Sequence, residues 1–295
     1  MQNLILFTAL SFAAFLLLIL VFELSHAMLG RWLGIRVIRV SIGYDPFDKY
    51  LIAWQGRHWE WRIGILPFGG YTKFRGAEDE PLDVDEFRDD EDITPGLDCR
   101  PSPPTDSFQA AGRLARIGVI LAGPVSQIVL AIILLAVPVT QRTAQLQYAP
   151  RQAGQLEPSA VPGLRITQNA ATWEGQWELC SDITTQAIRR YVLFQPLDGW
   201  GGFCGWLITG GAAGARSISM WLSFIGLIAL LNGVFNLLPF GGLNGSHVIR
   251  VLLEMVVDAD VAERSYTRYT IFTILFLFAV QIRIIYADVM WILGQ

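Results

Sequence analysis

The chain has 295 residues, 53% of them hydrophobic and 16% charged, with a net charge of −4. A mean hydropathy of +0.41 is too apolar for a water-soluble domain of this size and predicts several membrane spans. The expected fold class is a mainly α-helical membrane protein with about four transmembrane helices and a small membrane-associated β-region after the first; the lipid bilayer is one partner, and no nucleic-acid partner is expected.

Leu4 to Val21 carries no charge, and only Thr8 and Ser11 are polar. That is close to the roughly 20 residues needed to cross a hydrocarbon layer of about 30 Å. No small-residue cleavage site follows, so this first helix is expected to be retained. It runs into Phe22-Glu23-Leu24-Ser25-His26. An acid and an imidazole three residues apart project from one helix face. Ionisable groups inside a bilayer cost roughly 2.5–3.5 kcal/mol each on insertion scales, which makes the pair a candidate site, although the pair could equally mark the cytoplasmic end of the helix.

Arg31 to Arg75 then holds eight Lys and Arg residues. A basic loop directly after a span is expected in the cytoplasm, with the N-terminus outside. Within it, IRVIRVSIG and HWEWRIGIL alternate in part at period two and are rich in β-branched and aromatic residues, as half-buried strands are. Glu78 to Asp106 differs sharply, with twelve acids, two bases and five prolines. Such a stretch buries too little apolar surface to offset its ordering entropy and is expected to be disordered, its role being solvation, with binding of a specific basic partner as the alternative.

Ile117 to Val139 is the second expected span, with Gly123-Pro124 suggesting a kink packed closely on the first helix. DITTQAIRRYVLF is expected to form an amphipathic surface helix and GWGGFCGWLITGGAAGA a flexible, close-packing run. Ser219 to Leu238 is the third span, broken at Pro239-Phe240-Gly241-Gly242 before a helix over Gly245 to Met255, and Tyr269 to Leu293 is the fourth. A span interrupted by Gly and Pro is tolerated where it lines a protein cavity. Cys99, Cys180 and Cys204 form no C-x-x-C pair, and a Cys180–Cys204 disulfide has no support from spacing. The expected domains are residues 1–76 (first helix and strands), 77–112 (acidic cytoplasmic loop), 113–140 (second helix), 141–216 (exoplasmic loop) and 217–295 (third and fourth helices with the segment between them).

Glu23 and His26 fit the second half of H-E-x-x-H, in which two histidines hold zinc and the glutamate activates water. Here Phe22 stands where the first histidine would be. With GRWLGIRVIRVSIGYDP, ILPFGGYTKF, AGPVSQ and NLLPFGGLNG following in order, the chain resembles the site-2 protease family of intramembrane zinc metalloproteases over nearly its whole length. The resemblance implies that His26 is a surviving metal ligand and Glu23 the general base. It places Phe22 and Asn244 at ligand positions whose donors are replaced, since the family's N-x-x-P-x-P-x-L-D-G has Asp where Asn244 stands and a second Pro where Gly241 stands. His247, one turn beyond Asn244, is a candidate substitute ligand that the family does not use. Asn236, Pro239, Gly69 and Gly70 fall in the family's substrate-groove motifs. About 40 residues before Ser181 are too few for the PDZ domain that many relatives carry.

One good ligand does not hold zinc, because a catalytic site uses three protein ligands and water. The leading expectation is therefore an inactive pseudoprotease without a cofactor that binds a transmembrane or membrane-proximal protein client, multi-pass in a bacterial inner membrane. One alternative is an active intramembrane zinc protease with altered ligands; another is a structural or assembly subunit. A buried Glu23 carboxylate needs a polar partner, and His26 or Asn244, directly or through water, is the expectation.

Overall fold

The computed structural model describes residues 2–76, 104–136, 144–147, 165–168, 173–189 and 203–292. Most of the acidic stretch lies outside these residues, as do Cys99 and the side chains of Cys180 and Cys204. The helices are α1 (Gln2–Trp32), α2 (Arg113–Ala136), α3 (Trp173–Ala187), α4 (Phe203–Arg216), α5 (Ile218–Asn236), α6 (Asn244–Leu253) and α7 (Ala259–Ile292). Among the described residues, four stretches are long and apolar enough to cross a membrane: Ile5–Trp32, Arg113–Leu135, Ile218–Asn236 and Arg264–Tyr286. They match the four expected spans, and α1 continues without a break through Phe22, Glu23 and His26.

The strands are β1 (Val37–Tyr44), β2 (Tyr50–Gln55), β3 (Glu60–Gly64) and β4 (Leu66–Phe74), forming a sheet in the order β2-β3-β1-β4, and a separate ribbon of β5 (Ala144–Gln147) and β6 (Arg165–Gln168). The β5–β6 ribbon was not legible in the sequence. The contacts divide the chain into two compact units, residues 19–123 and residues 1–18 with 124–295.

In the unit of residues 19–123, pleat alternation sorts the sheet into two faces. Val40 lies opposite Thr72 and Ile42 opposite Gly70 on one face, while Arg39 lies opposite Lys73 and Ser41 opposite Tyr71 on the other. Glu60 and Arg62 of β3 join that second face beside Arg39 and Ser41. It is a closed network of charge. Arg39 Nε donates to Glu60 Oε2 at 2.9 Å, and Arg62 donates to Glu60 Oε1 at 2.9 Å, to Asp45 Oδ2 at 3.2 Å and to Asp48. Tyr71 Oη donates to Asp45 Oδ2 at 2.8 Å. Arg62 and Asp45 are nearly inaccessible to solvent, which is tolerable only because each is paired. An apolar core of Ala27, Ile35, Val37, Val40, Trp59, Phe74 and Val119 joins the sheet to α1 and α2 within this unit.

In the other unit, Leu18, Ala131, Leu135, Ile183, Leu227 and Leu230 form the principal core. The described part of the glycine-rich run expected to be flexible, residues 203–215, is instead in helix α4, and Gly210, Gly211 and Gly214 are contact points. A Cβ at Gly210 would meet Phe224 and Ser11, one at Gly211 would meet Thr8, and one at Gly214 would meet Phe7. Small residues let apolar helices approach where water-driven burial is not available. The sequence read the close packing correctly and the conformation wrongly, because glycine's low helix propensity is overridden by those contacts. Two boundaries also move: α3 begins at Trp173, ahead of the Asp182 expected, and α7 begins at Ala259, ahead of the Tyr269 expected.

Candidate functional site

The Glu23-x-x-His26 turn lies in the unit of residues 19–123, where α1, α2 and β4 come together. Both side chains are buried. His26 Nδ1 is 2.7 Å from the carbonyl oxygen of Val119. A carbonyl only accepts, so Nδ1 carries the hydrogen and Nε2 is the ring's acceptor nitrogen. A backbone carbonyl fixing the outer nitrogen is the arrangement that orients metal-bound histidines. A Cβ built on Gly123 would run into both His26 Nε2 and the tip of the Phe22 ring, so α2 can lie this close only because residue 123 is glycine. Phe22 packs edge-on against the imidazole with ring centroids 5.0 Å apart.

Glu23 is held from the sheet. Thr72 Oγ1 lies 2.9 Å from Glu23 Oε2 and 2.9 Å from the Glu23 main-chain oxygen. One turn of the pleat earlier, a Cβ on Gly70 would sit 3.0 Å from Glu23 Cγ and 2.8 Å from Ile19 Cγ2. Gly69 has φ +74°, in the region that favours glycine. The paired glycines thus have separate reasons: one turns the strand, the other lets it touch α1 at the acid. Thr72, Val119 and Gly123 were not singled out from the sequence; the alternation of Gly70 and Thr72 on one strand face was the signal that could have found Thr72.

Asn236, Pro239, Asn244 and His247 belong to the other unit. Asn236 ends α5, its Nδ2 donating to the Asn232 carbonyl at 2.9 Å and to Asn232 Oδ1 at 3.1 Å. Pro239 follows in the α5–α6 connection. There the Gly241 N–H donates to Thr273 Oγ1 at 2.7 Å, and a Cβ would collide with Thr270 and Thr273 of α7. A proline at 241 would have neither the N–H nor the space, which accounts for the departure from the family pattern. Asn244 is the first residue of α6. His247, one turn on, has Nδ1 3.2 Å from Tyr266 Oη, which is 3.2 Å from the buried Ser246 Oγ. This unit also holds a cavity of about 300 Å³, lined by Leu18, Phe224, Ile228, Leu231, Asn232 and Phe235 among others.

Among the described residues no three His, Cys, Asp or Glu side chains gather in a way that could hold a metal ion. The donor chemistry agrees: Phe22 offers no donor and Asn244 only a neutral amide, so the residues at the expected positions do not fit a three-ligand zinc centre.

Among the described residues, four apolar spans and a small sheet after the first, with an acid and a histidine buried on α1, define a multi-span integral membrane protein. The chain belongs to peptidase family M50, the site-2 protease family, whose profile matches residues 10–280. It is 38% identical over 126 residues to a Rhizobium meliloti protein, covering 42% of this chain and 31% of that one. It is 33% identical over 122 residues to one from Agrobacterium fabrum (41% and 30%), and 33% identical over 133 residues to one from Ralstonia nicotianae (44% and 26%). Each of these relatives bears the name "putative zinc metalloprotease". The chain spans about a third or less of their length.

Proposed function

We propose that this M50 member is a pseudoprotease: it binds a transmembrane or unwound, membrane-proximal segment of a client protein and does not cut it. The observation that carries this reading is Phe22, a side chain with no donor atom at the first ligand position, packed against His26, the surviving ligand. Asn244 at the third position supports it, because a neutral amide oxygen is a poor replacement for a carboxylate on a divalent cation. The client side of the proposal rests on the apolar cavity, whose walls suit large apolar side chains. The edge position of β4, beside Glu23, adds a strand with one unpaired side. The eight basic residues between Arg31 and Arg75 support a cytoplasmic sheet and an inner-membrane protein with its N-terminus outside. Incubating the purified protein with a model transmembrane substrate tests the reading: capture without cleavage is expected.

A second reading, an active zinc protease with altered ligands, is favoured by the names of the relatives and by the burial of Glu23 and His26. Cleavage abolished by Glu23→Gln would establish it.

A further inference from the structure

In the unit of residues 19–123, α1 and α2 run antiparallel. Gly118 of α2 faces Leu29 of α1, and the carbonyl of Val119 meets His26. The last residues of α1 and the first of α2 therefore reach the same end of the unit. Each helix finishes there with a basic residue beside a large apolar one: Arg31 and Trp32 on α1, Arg113 and Leu114 on α2. Trp32 is 82% exposed and Leu114 81%, although both sit where membrane spans begin or end. The β2–β3 turn arrives at the same end. Its Trp59 belongs to the same apolar core as Ala27 and Val119, and the exposed His58 beside it lies within reach of the charges of both Arg31 and Arg57. His58 is held below its ordinary pKa by desolvation and then by the charges of Arg31 and Arg57.

Neither the Arg31 nor the Arg57 side chain has an ion-pair or hydrogen-bond partner among the described residues. Asp106, a described acid of this unit, is already engaged by Arg75 at 3.2 Å. Two exposed guanidinium groups with no counter-charge among the described residues, in the same unit as an exposed tryptophan at the end of a span, complement phosphate at the headgroup level of a bilayer. We propose that Arg31, Arg57 and Trp32 form a binding surface for the headgroup of an anionic phospholipid, with His58 and Arg113 at its margin. Arginine suits this role because its planar fork can donate two hydrogen bonds to one phosphate. The surface is separate from the Glu23–His26 site, and its test does not depend on whether the protein cuts a client.

The experiment is native mass spectrometry of the detergent-solubilised full chain, titrated with phosphatidylglycerol or phosphatidylcholine. The wild type should retain phosphatidylglycerol preferentially. With roughly fivefold preference contributed per basic side chain at a bilayer surface, the double variant R31Q/R57Q should lose about twentyfold, while R31K/R57K should keep most of the preference. R57Q alone, on an exposed turn, keeps the test open if the double variant fails to fold. Free glycerol phosphate should not displace the lipid. Unchanged retention in R31Q/R57Q, an equal loss in a control pair R264Q/R268Q, or displacement by glycerol phosphate would each overturn the proposal.

Discussion

Thr72 Oγ1 lies 2.9 Å from Glu23 Oε2, joining the edge strand of the sheet to the one acid on the first span. The same hydroxyl is 2.9 Å from the main-chain oxygen of Glu23. It has one hydrogen for two acceptors, so it serves both the carboxylate and a helical carbonyl. Leaving a buried carboxylate without its donor costs roughly 1–3 kcal/mol or more. Thr72→Val should therefore lower the stability of the detergent-solubilised protein by about that much, and Thr72→Ser should restore most of it. Thermal unfolding of the three proteins side by side is the check, and equal midpoints for Thr72→Val and wild type would show that Glu23 is held by something else.

Two glycines near the site make opposite predictions to a third that meets nothing. A Cβ at Gly123 collides with His26 and Phe22, and one at Gly70 crowds Glu23 and Ile19. Overpacking of this kind costs typically about 1–3 kcal/mol. Gly112 has nothing within 4 Å. Gly123→Ala and Gly70→Ala should lower the unfolding midpoint clearly, and Gly112→Ala should leave it within experimental error.

Acid should loosen the sheet. The hydrogen bond from Arg62 holds the exposed Asp48 below its ordinary pKa; for Glu60, burial pushes upward but the hydrogen bonds from Arg62 and Arg39 outweigh it, so its pKa is lowered too. A carboxyl whose folded pKa is depressed contributes stability that is present above its unfolded pKa and lost as pH falls through the folded one. The contribution should be complete near neutrality and fade below the ordinary carboxylate range of about 4. Asp48 is exposed and Glu60 only partly buried, so the effect is small and salt-sensitive. Arg62→Gln should flatten this acid dependence while itself costing several kcal/mol, roughly 3–5, because it removes the counter-charge of the buried Asp45 and leaves it only the Tyr71 hydroxyl. Unfolding midpoints measured across acidic pH in both proteins decide it; parallel curves would contradict the network's role.

Restoring donors at the family's ligand positions should restore metal binding if the metal was lost by these substitutions alone. Phe22→His together with Asn244→Asp is expected to raise zinc affinity by orders of magnitude over wild type, with neither change sufficient by itself. Equilibrium competition against a chromogenic chelator reads this directly. No gain in the double variant would mean that the scaffold itself no longer supports the site.

The spans were legible because apolar length is decisive in a bilayer. The Glu23-x-x-His26 turn was legible because spacing alone puts two residues on one helix face. What could not be read were partners set by long-range packing: Thr72 on Glu23, Val119 on His26, Tyr266 on His247. The charge network is similar, since Asp45 and Asp48 follow β1 in sequence and only the register of β1 with β3 brings Arg62 to them. Helix α4 failed for a different reason: Gly210, Gly211 and Gly214 argue locally for flexibility, and the side chains of Phe7, Thr8 and Phe224 that they receive are distant in sequence. Gly241 read as a lost family proline, and its N–H to Thr273 gives that loss a physical cause.

The zinc content of the natural chain, purified from membranes without chelator and assayed by elemental analysis, tests the central claim most directly. The account predicts zinc far below stoichiometric, unchanged by His26→Ala. About one zinc per chain, retained through dialysis and lost in His26→Ala, would contradict it.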